Sequence, residues 1–183
     1  EKLYAGVQEK IAETTGINIM LLLDSIKVGG IHNLDYLRVG KTPPRMIQLK
    51  YKFYEKTIYA LLKKTIGIEN GNFFPTAGAA VPDEICEFVH SVGIDMLVGY
   101  GLTESTATVS CTSKTGYDIG SVGQVMPEVE VKIGEDNEIL LRGKTITKGY
   151  YKKAEATAAA IDEEGWFHTG DAGYFKKDRK SVV

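Results

Sequence analysis

From Met46 to Ile66, apolar side chains recur at Ile47, Tyr51, Tyr54, Ile58, Leu61 and Leu62. Spacings of three and four residues lay such a set along one face of a helix, and Gly67 is placed to stop it. Pro43-Pro44 disfavours helical continuation from upstream, so residues 1 to 45 read as a separate helical segment with a loop. Lys50, Lys52, Lys56, Lys63 and Lys64 decorate the long helix; they read first as a solvated face and, as the alternative, as a contact with a membrane surface. After Phe73-Phe74 the pattern becomes strand, Gly/Ala turn, helix and strand. Pro82-Asp83-Glu84 opens the helix, Ile85, Phe88, Val89 and Val92 form its buried stripe, and Gly93 closes it. Ile94 to Val98 is nearly all apolar and predicts a short buried strand ending at Gly99. Strand, helix and strand in that order predict a right-handed crossover and a parallel sheet, whose ligands collect at the carboxyl ends of the strands. That places Ala77-Gly78-Ala79-Ala80 beside the loop from Gly99 to Glu104.

Beyond Gly116 the segments are short and alternating. Val129, Val131 and Ile133 alternate with Glu130 and Lys132, and Glu135-Asp136-Asn137 turns the chain into Glu138 to Arg142, which is a hairpin signature. The expected organisation is therefore a helical and α/β part over residues 1–115, followed by a small antiparallel β part over 116–183.

The balance of the 183 residues, 43% hydrophobic and 25% charged, is that of a globular protein and not of a disordered tail. A formal charge of -2 leaves no basic excess to neutralise nucleic-acid phosphates, so nucleic acid is not an expected partner. The apolar stretch from Ile17 to Leu23 is interrupted by Asn18 and stopped by Asp24, short of the roughly 20 residues of a membrane-spanning helix. Cys86 and Cys111 show no metal-ligand spacing, and His32, His90 and His168 are scattered, so each reads as a packed or exposed residue. A cytoplasmic protein, peripheral at most on the inner membrane surface, is expected. The chain also reads as a piece of something larger.

Two phosphate-loop look-alikes fail. Gly40-Lys41-Thr42 and Gly143-Lys144-Thr145 have Asp35 and Glu138 where that loop requires an upstream glycine. Gly99-Tyr100-Gly101 starts like a dinucleotide fingerprint, but Glu104 stands in place of its last glycine, where the backbone must approach a pyrophosphate closely.

Three blocks taken together carry chemistry: Thr76-Ala77-Gly78-Ala79-Ala80-Val81, Gly99-Tyr100-Gly101-Leu102-Thr103-Glu104, and Gly165-Trp166-Phe167-His168-Thr169-Gly170-Asp171. Gly120-Ser121-Val122-Gly123, Glu138 to Gly143 and Gly149-Tyr150-Tyr151 support them. Singly each has an ordinary role: Thr103 as a helix cap, Tyr100 as a packed aromatic, Gly78 and Asp171 as turn residues. In this order and number they resemble the adenylate-forming (AMP-binding) enzymes, and among these a bacterial long-chain fatty acyl-CoA synthetase. The long helical stretch before the Gly/Ala turn, with Phe53-Tyr54-Glu55-Lys56, adds to that likeness.

The resemblance implies an α/β fold, part of the large N-terminal domain of such an enzyme, with a parallel sheet and flanking helices followed by a small antiparallel β subdomain. It implies that a fatty acid, ATP with Mg²⁺, and coenzyme A are the small-molecule partners. Tyr100 would face adenine, with Gly78, Ala79 and Ala80 on the other side of the base, and Gly99, Gly101 and Leu102 would belong to the same nucleotide-binding set. Thr103 would donate to the α-phosphate, Glu104 would bind the Mg²⁺, and Asp171 would accept from the ribose hydroxyls; Thr103 and Glu104 are the expected catalytic pair. Hard oxygen ligands suit Mg²⁺, and an acceptor-only carboxylate suits two hydroxyl donors.

Some family parts are absent. The Ser/Thr/Gly-rich loop that holds the outer phosphates is not in the chain, and neither are the hinge and C-terminal domain. Arg179 follows Gly173-Tyr174 more closely than the family's hinge arginine does, so the hinge role is left open and not carried over to it, and Ala80 stands where many relatives have proline. The 183 residues alone are therefore expected to be inactive. Two other readings stay open: a non-catalytic nucleotide-binding module, and an aryl- or amino-acid-activating domain.

Overall fold

A computed structural model describes residues 4–6, 9, 16–71, 73–176 and 181–182. Arg179 lies outside the described residues. The chain forms two compact units, one built from Glu1–Pro75, Val81–Leu97 and Lys114–Ile119, the other from Thr76–Ala80, Val98–Ser113 and Gly120–Val183.

The first unit is helical. α1 (Ile17–Gly29) runs on into a π-helical stretch, Gly30–Tyr36, and a 3-10 turn, Leu37–Val39. α2 (Arg45–Tyr54) starts directly after Pro44, and a π-helical stretch, Glu55–Tyr59, joins it to α3 (Ala60–Thr65). The expected long helix is thus present, but with a change of period inside it. The extra residue per turn in the π stretch puts Tyr54 and Tyr59, five apart, on the buried side, while Leu61 is 67% exposed. The Tyr59 hydroxyl donates to the carbonyl of Ser25, and the Tyr54 hydroxyl donates to Asp24 Oδ2 at 2.6 Å. That second bond pushes the Tyr54 phenol up to about 12 and holds the Asp24 carboxyl below its usual range.

α4 (Asp83–Ser91) begins after Pro82 with two acids in its first turn, where they complement the helix dipole, and ends before Gly93 at φ 71. Cys86, Phe88, Val89 and Val92 are buried, and Ile94 is buried beyond the helix end. Gly29 is where α1 and α4 meet: a Cβ there would lie 1.7 Å from the carbonyl oxygen of Ser91. Among the described residues no helix is long and apolar enough to cross a membrane.

β1 (Phe74–Thr76) and β2 (Met96–Tyr100) flank α4 in sequence and are neighbours in a five-stranded sheet of order β1-β2-β3-β4-β8, with β3 Ser110–Cys111, β4 Gly123–Val125 and β8 Ser181–Val182. The α/β layer expected from the sequence is present. The pairs β2–β3, β3–β4 and β4–β8 are antiparallel, a continuation that the expected parallel crossover did not include. A turn of nine residues, 101–109, joins β2 to β3, and connections shorter than a helical crossover return a strand antiparallel.

In the second unit the hairpin falls as the alternation predicted. β5 (Val129–Ile133) pairs with β6 (Glu138–Gly143) from Val129 opposite Gly143 to Ile133 opposite Ile139. Asp136 and Asn137 turn the chain in left-handed conformations that short polar side chains tolerate. β7 (Phe167–Ala172) completes this sheet on the other side of β6. β6 is therefore the central strand, and Ile139, Leu140 and Leu141 are all buried instead of alternating. Val109, Ile139, Leu141 and Phe167 form the core of this unit.

Gly29→Ala is expected to destabilise the first unit by about 2 kcal/mol or more, because the methyl meets backbone that cannot rotate away. Denaturant unfolding of the variant against wild type checks this; equal midpoints would contradict the close approach of α1 and α4.

Candidate functional site

The turn after β2 is built by two small residues. A Cβ at Gly101 would lie 2.0 Å from the carbonyl oxygen of Ala107, so only glycine lets the chain fold back this tightly. Ser105, fully buried, accepts the N–H of Leu102 at 2.8 Å and donates to its carbonyl at 2.9 Å. These bonds close the 3-10 turn Thr103–Ser105, which starts after Leu102. The capping role that Thr103 has when taken singly is thus filled by Ser105, and Thr103 stands exposed.

Tyr100 ends β2, opposite Ser110. Its hydroxyl donates to Asp171 Oδ2 at 2.7 Å, across 71 residues of sequence. Burial, and then the Asp171 carboxylate, push the phenol well above its ordinary value, so the hydroxyl stays a donor. Asp171 is held by its own strand: its N–H is donated to Thr169 Oγ1 at 3.1 Å, and Thr169 Oγ1 donates to the carbonyl of Ile139 at 2.7 Å. Glu138, on the adjacent strand, accepts the N–H of Gly170 at 2.9 Å and pairs with His168 Nδ1 at 2.8 Å. The bond to His168, and then the one from Gly170, hold the Glu138 carboxyl below its usual range.

The first half of the Gly165–Asp171 block is scaffolding. Trp166 lies beneath the Arg142 guanidinium at 4.4 Å and near Lys132 Nζ at 4.9 Å, and Asp162 Oδ1 accepts the N–H groups of Glu164 and Trp166. The turn so fixed aims β7 and delivers Asp171 to Tyr100.

Glu104, next to Thr103, uses Oε1 to accept from the Tyr150 hydroxyl at 2.9 Å. Gly99 packs against β3 and β1: a Cβ there would lie 3.3 Å from the oxygen of Ser110 and 4.0 Å from that of Thr76. Gly78, at φ 88, and Ala79 and Ala80 follow β1 and are exposed, so their backbone is open. The structure thus brings Gly99 to Glu104 and Asp171 into one unit, joined through Tyr100. Asp171 also borders a hollow of about 570 Å³ with Glu138, His168 and Lys132, which Tyr100 and Glu104 do not border.

Among the described residues no three His, Cys, Asp or Glu side chains gather to hold a metal by themselves. The fit to Mg²⁺ is of another kind. That ion commonly takes one or two carboxylates and completes its shell with waters and substrate phosphates, and a single carboxylate beside an exposed hydroxyl suits it. The sequence reading missed the partners Tyr150, Glu138 and Ser105; the Gly149-Tyr150 and Glu138-to-Gly143 segments were visible, but their bonds join positions far apart in the chain.

The AMP-binding enzyme family matches residues 34–151, well over half of the chain, and the chain belongs to that family. It is similar to the long-chain-fatty-acid–CoA ligase FadD15 of Mycobacterium tuberculosis, 29% identical over 74% of this chain and 22% of that protein. It is similar also to the long-chain-fatty-acid–CoA ligase ACSBG1 of Macaca fascicularis, 30% identical over 97% of this chain and 25% of that protein. Among solved structures, a malonyl-CoA ligase ternary product complex with methylmalonyl-CoA and AMP bound is 26% identical with a TM-score of 0.56, covering 73% of this chain and 31% of that one. A variant of E. coli MenE with bound OSB-AMS is 33% identical with a TM-score of 0.50, covering 60% and 23%. The chain spans at most a third of the length of the curated relatives it matches.

Because the folded-state pKa of Glu138 is depressed, its contribution to stability is present above the ordinary value of 4.5 and is lost as pH falls through the lower folded value. Glu138→Gln is therefore expected to lose less stability than wild type when acidified below pH 4.5. Melting temperatures measured across that range check the sign; parallel curves would contradict it.

Proposed function

We propose that this chain supplies the nucleotide and cation contacts of an AMP-forming acid–thiol ligase that activates a fatty acid. The observation that carries the reading is the Tyr100–Asp171 hydrogen bond, which sets a flat ring beside an acceptor-only carboxylate with Thr103 and Glu104 in the adjoining turn. Adenine stacks on the Tyr100 face, with Gly78, Ala79 and Ala80 opposite, and the ribose hydroxyls donate to Asp171. Thr103 donates to the α-phosphate, and Glu104 would hold Mg²⁺, which would offset the negative charge gathered there.

In this reading the carboxylate of the acid attacks the α-phosphorus, an O–P bond forms, and the bond to pyrophosphate breaks. Two anions must approach one another for this, so a cation and fixed donors lower the barrier by spreading the charge. In the second step the sulfur of coenzyme A attacks the acyl carbon, the thioester forms, and AMP leaves. The fatty-acid substrate is supported by the names of FadD15 and ACSBG1. An aryl acid is the second reading, favoured by the 33% identity to MenE. We place the intact enzyme in the cytoplasm, with contact to the inner membrane surface as a further element of the proposal.

In the intact enzyme, Glu104→Gln is expected to lower acid-dependent ATP–pyrophosphate exchange by about a hundredfold or more. Asp171→Ala is expected to raise the KM for ATP by about tenfold or more while leaving the KM for the acid nearly unchanged. Exchange at the wild-type rate in the Glu104 variant would overturn the cation role. A panel of straight-chain and aromatic acids decides the substrate class: preference for the straight-chain acids is the expected outcome, and preference for the aromatic ones favours the second reading.

A further inference from the structure

The Thr103–Ser105 turn is gripped by the loop 143–151, which no role given so far uses. Thr106 Oγ1 donates to the carbonyl of Thr145 at 2.7 Å, the N–H of Thr147 donates to the carbonyl of Glu104 at 2.7 Å, and the Tyr150 hydroxyl donates to Glu104 Oε1 at 2.9 Å. Both the backbone and the side chain of Glu104 are therefore held from one loop.

Tyr150 is itself fixed. Its N–H is donated to Thr157 Oγ1 at 2.9 Å, and its carbonyl accepts the N–H of Lys153 at 3.1 Å. Gly149, at φ 132, lies so close to α5 (Ala154–Ala160) that a Cβ would sit 2.4 Å from Thr157 Cγ2. On the other side of the contact, Thr106 and Ala107 take left-handed backbones, φ 55 and 75, each costing about 1–2 kcal/mol for a residue with a Cβ. Such conformations persist where surrounding bonds over-determine them: here the Thr106 side chain bonds to the loop that carries Tyr150, and the N–H of Ala107 bonds to the carbonyl of Leu102 in its own turn.

We propose that Tyr150 is the positioning residue for Glu104, holding Oε1 so that Oε2 is presented to the divalent cation on the nucleotide phosphates. A half-buried carboxylate without such a donor still turns about its side-chain bonds, and ordering it on binding costs entropy. A neutral hydroxyl donor fixes one oxygen without adding a charge that would compete with the cation. Outer partners of this kind typically set metal affinity by about 10–100-fold. The inference rests on the reading of Glu104 as the cation ligand.

The test uses the intact enzyme with an ATP analogue whose α,β-bridging oxygen is replaced by methylene, and reads Mn²⁺ binding from the free-Mn²⁺ paramagnetic resonance signal. Tyr150→Phe is expected to weaken Mn²⁺ binding by about tenfold, with the melting temperature and the KM for the acid unchanged. Glu104→Gln is expected to weaken it further. Wild-type Mn²⁺ binding in Tyr150→Phe, with loss in Glu104→Gln, overturns the positioning role and leaves the cation role standing. Wild-type binding in Glu104→Gln overturns the cation role and this inference with it. A lower melting temperature in Tyr150→Phe, with Mn²⁺ affinity unchanged, makes the bond a structural one and also overturns the proposal.

Discussion

The hydrogen bond from the Tyr100 hydroxyl to Asp171 organises the second unit, because it joins the last residue of β2 to the end of β7 across 71 residues of sequence. Neither partner reaches that position by itself. Tyr100 is set by the β2–β3 ladder, with its carbonyl accepting the N–H of Val109 at 2.8 Å, and it packs against the core of Val109, Ile139, Leu141 and Phe167. Asp171 is set by Thr169, by the Trp166 anchor and by the buried central strand β6. Apolar packing positions the strands, and the polar bond fixes which side chains face each other at their ends.

Glycine does the complementary work of letting backbone come close. Gly101 allows the return of the chain at Ala107, and Gly123, at φ 85, would carry a Cβ 2.0 Å from the backbone of Cys111. The first places Thr103 and Glu104 just beyond Tyr100; the second lets β4 lie against β3. Gly101 and Gly123 are thus requirements of close approach, whereas Gly78 and Gly170, at φ 88 and 73 with open space around them, serve left-handed turns, and the residues between the glycines carry the chemistry. That division is why a strand-end turn can present a hydroxyl and a carboxylate in adjacent positions while its own backbone is satisfied by Ser105.

The sequence showed those features that depend on local pattern. The β5–β6 hairpin and the helix opening at Pro82 are read directly, since alternation and capping act within a few residues. β2 was displaced: the apolar run Ile94 to Val98 predicted the strand, but it lies at Met96–Tyr100, because its register is set by Ser110 and Cys111 while Ile94 is buried in the turn after α4. The π stretch Glu55–Tyr59 was hidden for a related reason, since a helical period of 3.6 exposes Tyr59 and only tertiary packing makes it the most buried ring of its unit. In the site, it was the resemblance carried jointly by the three blocks that pointed to Tyr100, Glu104 and Asp171, since singly each has an ordinary structural role. The Tyr150 and Glu138 contacts were not legible, because a bond between remote positions leaves no periodic trace in either.

The central claim is that Tyr100 and Asp171 act as one unit toward a nucleotide, and a double-mutant cycle on the intact enzyme measures it directly. Calorimetric binding of a non-hydrolysable acyl-adenylate analogue to wild type, Tyr100→Phe, Asp171→Asn and the double variant yields the coupling between the two side chains. A coupling of about 1 kcal/mol or more is expected, with the double variant binding better than the product of the two single losses implies. Strictly additive losses, or single variants that bind as wild type does, would contradict the account.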